Sequence, residues 1–247
     1  MILLFSAPSW IIELKQFQGI IAAGVFLLIY IAEQIIPERK ELLDRKHDLL
    51  NVLVGIAGLV VIFLMGHLLN ETLNQAAEKS FGILNLINLD LAVEVIIQFI
   101  LIDLYMYWWH RANHVIPFLW RFHSFHHKDE KMSASTALRF HPVELILSVL
   151  ARMVVFVLLG INPWMMIFYG TILFAVITFH HSNIRISLRS DMLLRFFIAS
   201  PGMHRIHHSN IRKETDSNYS SVFPYWDRLF GTYTKHPEKE IEFGIEK

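Results

Sequence analysis

The run LLNVLVGIAGLVVIFLMGHLL, Leu49 to Leu69, carries no acidic residue, lysine or arginine over 21 positions. A helix needs roughly 17–25 mostly apolar residues to cross a hydrocarbon core, so this run reads as a membrane span. Phe17 to Ile36 is a second candidate upstream, and Leu91 to Trp109 a third downstream that carries Glu94 and Asp103. Val143 to Leu159 and Pro163 to Phe179 form a pair joined at Gly160-Ile161-Asn162, a natural turn. Both runs are short and Arg152 sits midway along the first, so they read as two crossings or as a re-entrant hairpin. The parity is the same either way. The expected fold is all-α: a polytopic membrane helical bundle of three spans plus a two-helix hairpin, with a cytoplasmic helical cap.

Composition points the same way. Of 247 residues 54% are hydrophobic, which favours the bilayer as solvent. The 22 basic and 22 acidic residues balance, so bulk charge gives no case for nucleic-acid binding. There is no cysteine, which excludes disulfides, thiolate zinc sites and iron–sulfur clusters. Any metal here is held by nitrogen and oxygen. The N-terminus shows neither a basic stretch nor a small-residue cleavage site, so no removable signal peptide is expected. With no repeat, low-complexity segment or long linker visible, one domain over residues 1–247 is the economical division. It comprises N-terminal spans over 1–90 and a histidine-rich region over 91–235.

Basic residues set the expected orientation. The first loop holds Arg39, Lys40, Arg45 and Lys46, whereas the second holds only Lys79. Arg111, Arg121, Lys128, Lys131 and Arg139 follow the third span, and Arg185, Arg189 and Arg195 follow the hairpin. The N-terminus is therefore expected outside, with the C-terminus and the histidine-rich stretches in the cytoplasm.

Those stretches are His110-Arg-Ala-Asn-His114, His123-Ser-Phe-His126-His127 and His204-Arg-Ile-His207-His208. Eight of 14 histidines fall in these three five-residue windows, far more than even scatter would place there. Residues at i, i+3 and i+4 share one helix face, so each window presents its imidazoles in one direction. Grouped imidazoles have no use on solvated loops, and buried without a metal each would need its own hydrogen-bond partners. Metal binding is the better reading. Eight or nine imidazoles exceed one ion's capacity, so two ions fit better than one. Nitrogen ligands suit iron, copper, nickel and zinc alike.

Further candidates lie between the windows. His181, in His180-His181-Ser-Asn183, is taken as a ninth ligand, with His180 and Asn183 beside it as candidates. His141, just before Pro142, is open to three readings: ligand, hydrogen-bond partner of a ligand, or helix start. His47, His67 and His236 read as structural or solvated. Asp103 is an acid inside an apolar helix, where such residues are functional by default and usually partnered. Metal-bound imidazoles commonly donate their other N–H to a carboxylate, and Asp103 is expected to serve so. Its alternative is packing against Arg152 or a tyrosine. Glu94 is assigned no role.

In order and spacing the motifs resemble the fatty acid hydroxylase/sterol desaturase superfamily of integral-membrane, histidine-rich di-iron oxygenases. The likeness runs from Asp103-Leu-Tyr-Met-Tyr-Trp-Trp-His110 through His114, His123-Ser-Phe-His126-His127, Arg139-Phe-His141-Pro142 and His181-Ser-Asn183 to His204-Arg-Ile-His207-His208. It continues in Asn218-Tyr219 and Trp226-Asp227-Arg228-Leu229-Phe230-Gly231-Thr232-Tyr233. The branch most similar includes alkylglycerol monooxygenase and bacterial members. One departure is Val115, where the alkylglycerol pattern has an acidic residue, which weakens the carry-over of that enzyme's particular substrate. The resemblance implies two iron ions, with O2 as co-substrate. The reaction implied is hydroxylation or desaturation of a lipid such as a fatty acyl, sterol or alkylglycerol chain drawn from the bilayer. No dinucleotide fingerprint, haem appendage or flavin signature is visible, so no bound flavin or haem is expected and a separate electron-donor protein is. The expected location is the bacterial inner membrane, or the endoplasmic reticulum in a eukaryote. The Tyr225 to Tyr233 aromatic stretch is read as packing under the metal site, with contact to the donor as the alternative.

Two rival readings predict different behaviour. A zinc-dependent lipid hydrolase would turn over without O2 or reductant. A non-enzymatic metal or haem transporter or sensor would place its ligands near the bilayer midplane, within repeated halves.

Overall fold

The computed structural model describes residues 7–245. The chain ends lie outside the described residues, and with them the expected outside and cytoplasmic placement of the termini themselves. α1 (Ser9–Ile35) gives way at Ile36, the residue before Pro37, where the proline ring disfavours helical geometry. The Asp44 carboxylate accepts the N–H groups of Lys46 and His47 and so caps α2 (Arg45–Glu78). α2 has 34 residues. At about 51 Å it outruns a hydrocarbon core of about 30 Å, so the 49–69 run is its middle.

α3 (Leu91–Val115) stops just short of Pro117, which takes the first position of α4 (Pro117–His127). α5 (Pro142–Leu159) also opens on proline and closes at Gly160, whose φ of +76° glycine adopts without steric cost. The turn at Gly160 leads into α6 (Met165–His181). The short helices α7 (Leu188–Leu194), α8 (Pro201–His207), α9 (Arg212–Thr215) and α10 (Tyr225–Leu229) complete the chain. Among the described residues the only β-pairing is two isolated bridges.

Each expected span is a helix. α1, α2, α3 and α5 are long and apolar enough to cross a membrane, and α6 is a shorter apolar helix. The protein is an all-α, multi-pass membrane bundle. α6 packs along α1 and α5 along α2, so the hairpin lies against the N-terminal spans. Leu28 is 71% exposed and Phe63 77%, part of an apolar belt that only lipid would cover in a stable chain. The inner faces bury Ile102, Phe156, Trp164 and Tyr169.

Polar ties fix the helices in register. Gln18 donates to Thr171 across α1 and α6. Glu94 accepts from Gln98 and Asn162, fastening the hairpin turn to the start of α3, a packing role that composition alone did not suggest. Arg152 folds back to donate to the Ser148 hydroxyl. At the other end of α1, buried Glu33 accepts the N–H groups of Ala134 and Asn183. That carboxylate draws the 134–138 turn and the segment after α6 together at the histidine-bearing end of the bundle.

Candidate metal centre

All nine imidazoles expected as ligands converge at that end, in two adjoining groups. His110, His114, His123, His127 and His207 form one, and His126, His181, His204 and His208 the other. Within each group one ligand nitrogen per residue lies within 4.8 Å of all the others. The groups touch: the rings of His127 and His208 stack at 4.4 Å.

Helix geometry explains the division. In α4, His123 and His127 are four residues apart and share a face, so they enter one group. His126 is about 100° around the helix from His127 and enters the other. At the end of α8 the assignment is reversed. His204 and His208 form the i, i+4 pair of the second group, and His207 crosses to the first. Each HxxHH window therefore serves both groups, rather than presenting all its imidazoles in one direction.

The outer nitrogens reveal what the inner ones are for. His110 Nδ1 lies 2.7 Å from the Tyr219 carbonyl, and His207 Nδ1 lies 2.7 Å from that of Ser217. His126 Nδ1 meets the Arg139 carbonyl at 3.1 Å and His181 Nδ1 the Ile177 carbonyl at 2.7 Å. A carbonyl only accepts, so in these four rings Nδ1 carries the proton and Nε2 keeps a lone pair. The Nε2 atoms of His126 and His181 are nevertheless only 3.0 Å apart, and those of His204 and His181 also 3.0 Å. For His126 and His181 both protons are held elsewhere, so two lone pairs face each other.

A cation resolves that conflict. Separations near 3 Å suit neighbouring ligands about 2.0–2.1 Å from one ion. Protonation is the alternative, and burial opposes it. Desolvation, reinforced by neighbouring imidazoles, holds His126, His127, His204, His207 and His208 well below the usual histidine pKa. The buried Nε2 of His207 and both nitrogens of His114 and His208 have no hydrogen-bond partner. Such orphaned atoms are costly unless something ligates them. The donor set fits two metal ions bound by nitrogen.

The surroundings hold the rings in place and keep water out. Glu144, in the first turn of α5, meets His123 Nδ1 at 2.8 Å. His114 Nδ1 faces the Asp216 carboxylate at 3.4 Å, without hydrogen-bond alignment. The Ser217 and Tyr219 carbonyls flank Asn218, which adopts a left-handed φ of +53° that asparagine tolerates. The Asn218 amide donates to the Met203 and Thr234 carbonyls. Asp227 accepts the N–H groups of Tyr219 and Ser220. Thus the Asn218-Tyr219 and Trp226-Asp227 motifs build the platform that orients His110 and His207. The aromatic stretch packs, as expected, with Phe230 stacked on Tyr107 at 5.3 Å. Trp120 faces His114 and His127, and Phe140 stacks on His126 at 4.8 Å.

Other candidates fall elsewhere. The expectation that Asp103 holds an imidazole is corrected. Its carboxylate accepts from the Tyr169 hydroxyl at 2.6 Å, the Trp226 indole at 2.8 Å and the Phe223 N–H at 3.1 Å. Seven residues along α3 put it about 10 Å below His110, one layer too deep. His141 caps α5, its Nδ1 accepting from Val143 N–H, which is the helix-start reading. Asn183 is not a ligand either: its side chain bonds both the N–H and the carbonyl of Arg39. His180 is buried and stacked on His204 at 3.8 Å but belongs to neither group. His47, read as structural or solvated, pairs with Asp129 at 2.7 Å.

Glu144 and Asp216 were missed. Glu144 carried a signal, because the rule that singled out Asp103 applies equally to an acid at the head of the apolar 143–159 run. Replacing Asp103 with Asn should turn an amide N–H toward donors that need an acceptor. We expect a loss of about 1–3 kcal/mol of stability in detergent, with metal per folded chain unchanged. A drop in metal content with stability intact would restore Asp103 to the site.

The family model for fatty acid hydroxylases matches residues 95–232, more than half of the chain and every one of the nine imidazoles. The chain belongs to the fatty acid hydroxylase family. Ornithine lipid hydroxylase OlsE of Rhizobium tropici is 27% identical over 156 residues, 63% of this chain and 46% of that protein. Human alkylglycerol monooxygenase is 28% identical over 162 residues, 60% of this chain and 32% of that enzyme. Sphinganine C4-monooxygenase 2 of Arabidopsis thaliana is 31% identical over 177 residues, 70% of this chain and 65% of the relative. The aligned part thus spans from about a third to under two thirds of these relatives. No solved structure matches this chain.

Proposed function

We propose that this member of the fatty acid hydroxylase family is a di-iron oxygenase that hydroxylates, or desaturates, a lipid using O2 and two externally supplied electrons. The observation that carries the reading is the His126–His181 pair, whose lone pairs face each other at 3.0 Å with both protons held by carbonyls. Family membership favours iron and oxygen chemistry over hydrolysis. The named relatives, all hydroxylases or monooxygenases, support a lipid as substrate.

One ion would rest on His110, His114, His123, His127 and His207, the other on His126, His181, His204 and His208. Bound iron supplies the one-electron and oxygen chemistry that side chains cannot perform. The chain's own residues do the rest. The carbonyls of Arg139, Ile177, Ser217 and Tyr219 and the Glu144 carboxylate fix the tautomers of His126, His181, His207, His110 and His123 and aim their Nε2 atoms inward. Trp120, Phe140 and Tyr219 wall the site against water, which strengthens every charge interaction within it. Because α3 and α6 deliver their histidines at their ends, a lipid chain can enter sideways from the bilayer while a separate electron donor docks from the cytoplasm. We read the 247 residues as one integral-membrane domain.

The test is metal analysis of detergent-purified protein from iron-supplemented cells, followed by a lipid oxidation assay with a surrogate reductant. About two irons per chain, no Soret band and O2-dependent product are expected. Bound zinc with O2-independent turnover would replace the proposal by the hydrolase. For orientation, a single cysteine placed at exposed Lys239 is unique in this cysteine-free chain. It should resist membrane-impermeant reagents in intact cells; labelling from outside would invert the topology.

A further inference from the structure

Two cavities combine an apolar floor with a cationic rim, the first at the end of α1 and the second between α7 and the 235–236 segment. The first, about 350 Å³, is bounded by Ile35, Ile36 and Pro37 at the end of α1, with Lys40 and Arg185 at its edge. The second, about 500 Å³, has Leu188, Met192, Leu193 and Phe196 as its floor. Its rim is Arg189, Lys235 and His236. No acid lines either cavity.

Some cations elsewhere are matched by acids. Lys131 pairs with Asp44, Arg205 with Glu38, Arg212 with Asp216 and Lys213 with Glu238. Lys40, Arg185, Arg189 and Lys235 have no ion-pair partner among the described residues. The floors are themselves bare: Ile35 is 73% exposed, Leu188 64% and Leu193 62%. Along α1 the first floor continues into the lipid-facing belt through Ile31 and Leu28. An acidic protein partner would satisfy the cations, but not the first floor, which runs on into that belt, nor the bare leucines of the second. The headgroup layer of a leaflet satisfies both.

We infer that the two cavities bind anionic phospholipid from the leaflet that contacts the cap. In one, a headgroup phosphate sits between Lys40 and Arg185 and an acyl chain lies over Ile35 and Ile36. In the other, Arg189 and Lys235 hold the phosphate and the chain crosses Leu188, Met192 and Phe196. Four cations without a lining acid favour a net-negative headgroup over a zwitterionic one, because nothing is present to receive choline. The inference rests on the membrane-spanning fold and is independent of the metal.

The experiment is native mass spectrometry of the full chain in detergent. Phosphatidylglycerol and phosphatidylcholine of identical acyl chains are titrated in, with inorganic phosphate as competitor and metal content read from the same spectra. About two phosphatidylglycerols per chain should be retained, one per cavity. The double variants K40Q/R185Q and R189Q/K235Q should each lose one of them, at about fivefold weaker binding per cation removed, with metal content unchanged. Equal retention of the two lipids, or wild-type retention by both variants, would overturn the inference. So would displacement of the lipid by inorganic phosphate, which would mark plain anion sites. Unchanged lipid with weakened coupling to an electron donor would instead assign the surface to a protein.

Discussion

Replacing His208 with alanine should take about one metal ion from each chain and leave lipid oxidation at background, a fall of about a hundredfold or more. His208 belongs to the group of four, so its loss leaves three imidazoles. His126→Ala should behave alike. His207→Ala and His127→Ala strike the group of five and leave four imidazoles, enough to retain an ion with weaker affinity. Metal analysis should therefore separate the two pairs of variants even though turnover is lost in all four. Full metal and full turnover in any one of them would break the two-group assignment.

Stability without metal tells a ligand from a packing residue. Both nitrogens of His208 are buried and unpartnered, so the metal-free chain carries their desolvation cost. Truncation to alanine removes that cost while opening a small cavity, and the two effects nearly cancel. Thermal unfolding of metal-free wild type and His208→Ala should then occur within a few degrees, whereas metal should stabilise only the wild type fully. A structural histidine would show the opposite pattern, with a large loss in the metal-free protein.

How far the site was legible follows from the range over which each feature is set. The helical spacing of His123, His126 and His127 is local, so their clustering could be read directly. Their division between two groups depends on how α4 and α8 rotate against α3 and α6, which no window of five residues contains. The tautomer-fixing partners were harder still. Ser217 and Tyr219 act through backbone carbonyls, and a carbonyl's direction depends on the turn around Asn218 rather than on residue type. Asp103 illustrates the converse. Its burial in an apolar helix correctly marked it as partnered, but its partners come from α6 and from the Phe223–Trp226 segment. The spans were legible because exposure to lipid demands apolar residues all along a helix. The anchoring roles of Glu33 and Glu94 were not, because Ala134, Asn183 and Asn162, which they hold, lie far away in the chain.

Glu144 is where the fold and the metal chemistry meet, and its removal should have the second largest effect. Its Oε1 lies 2.8 Å from His123 Nδ1, while its Oε2 has no partner. The carboxylate therefore acts on one ring, fixing its orientation and making its Nε2 a stronger donor. It also places a negative charge beside a group whose nearest ligands are neutral, offsetting part of the charge of a bound cation. Glu144→Ala removes both effects and should weaken metal at the group of five by about 10–100-fold, leaving the group of four unaltered. Glu144→Gln keeps an acceptor oxygen without the charge and should fall between wild type and alanine. Turnover should drop with metal occupancy while KM for the lipid stays constant, since Glu144 would act through His123 and not on the substrate. A merely structural Glu144, favoured by the positive end of α5, predicts something else: about 0.3–1 kcal/mol of lost stability, with unchanged metal affinity in both variants. Metal titration of the stripped protein distinguishes the two, and equal affinities across wild type, glutamine and alanine would reduce Glu144 to a helix-end charge.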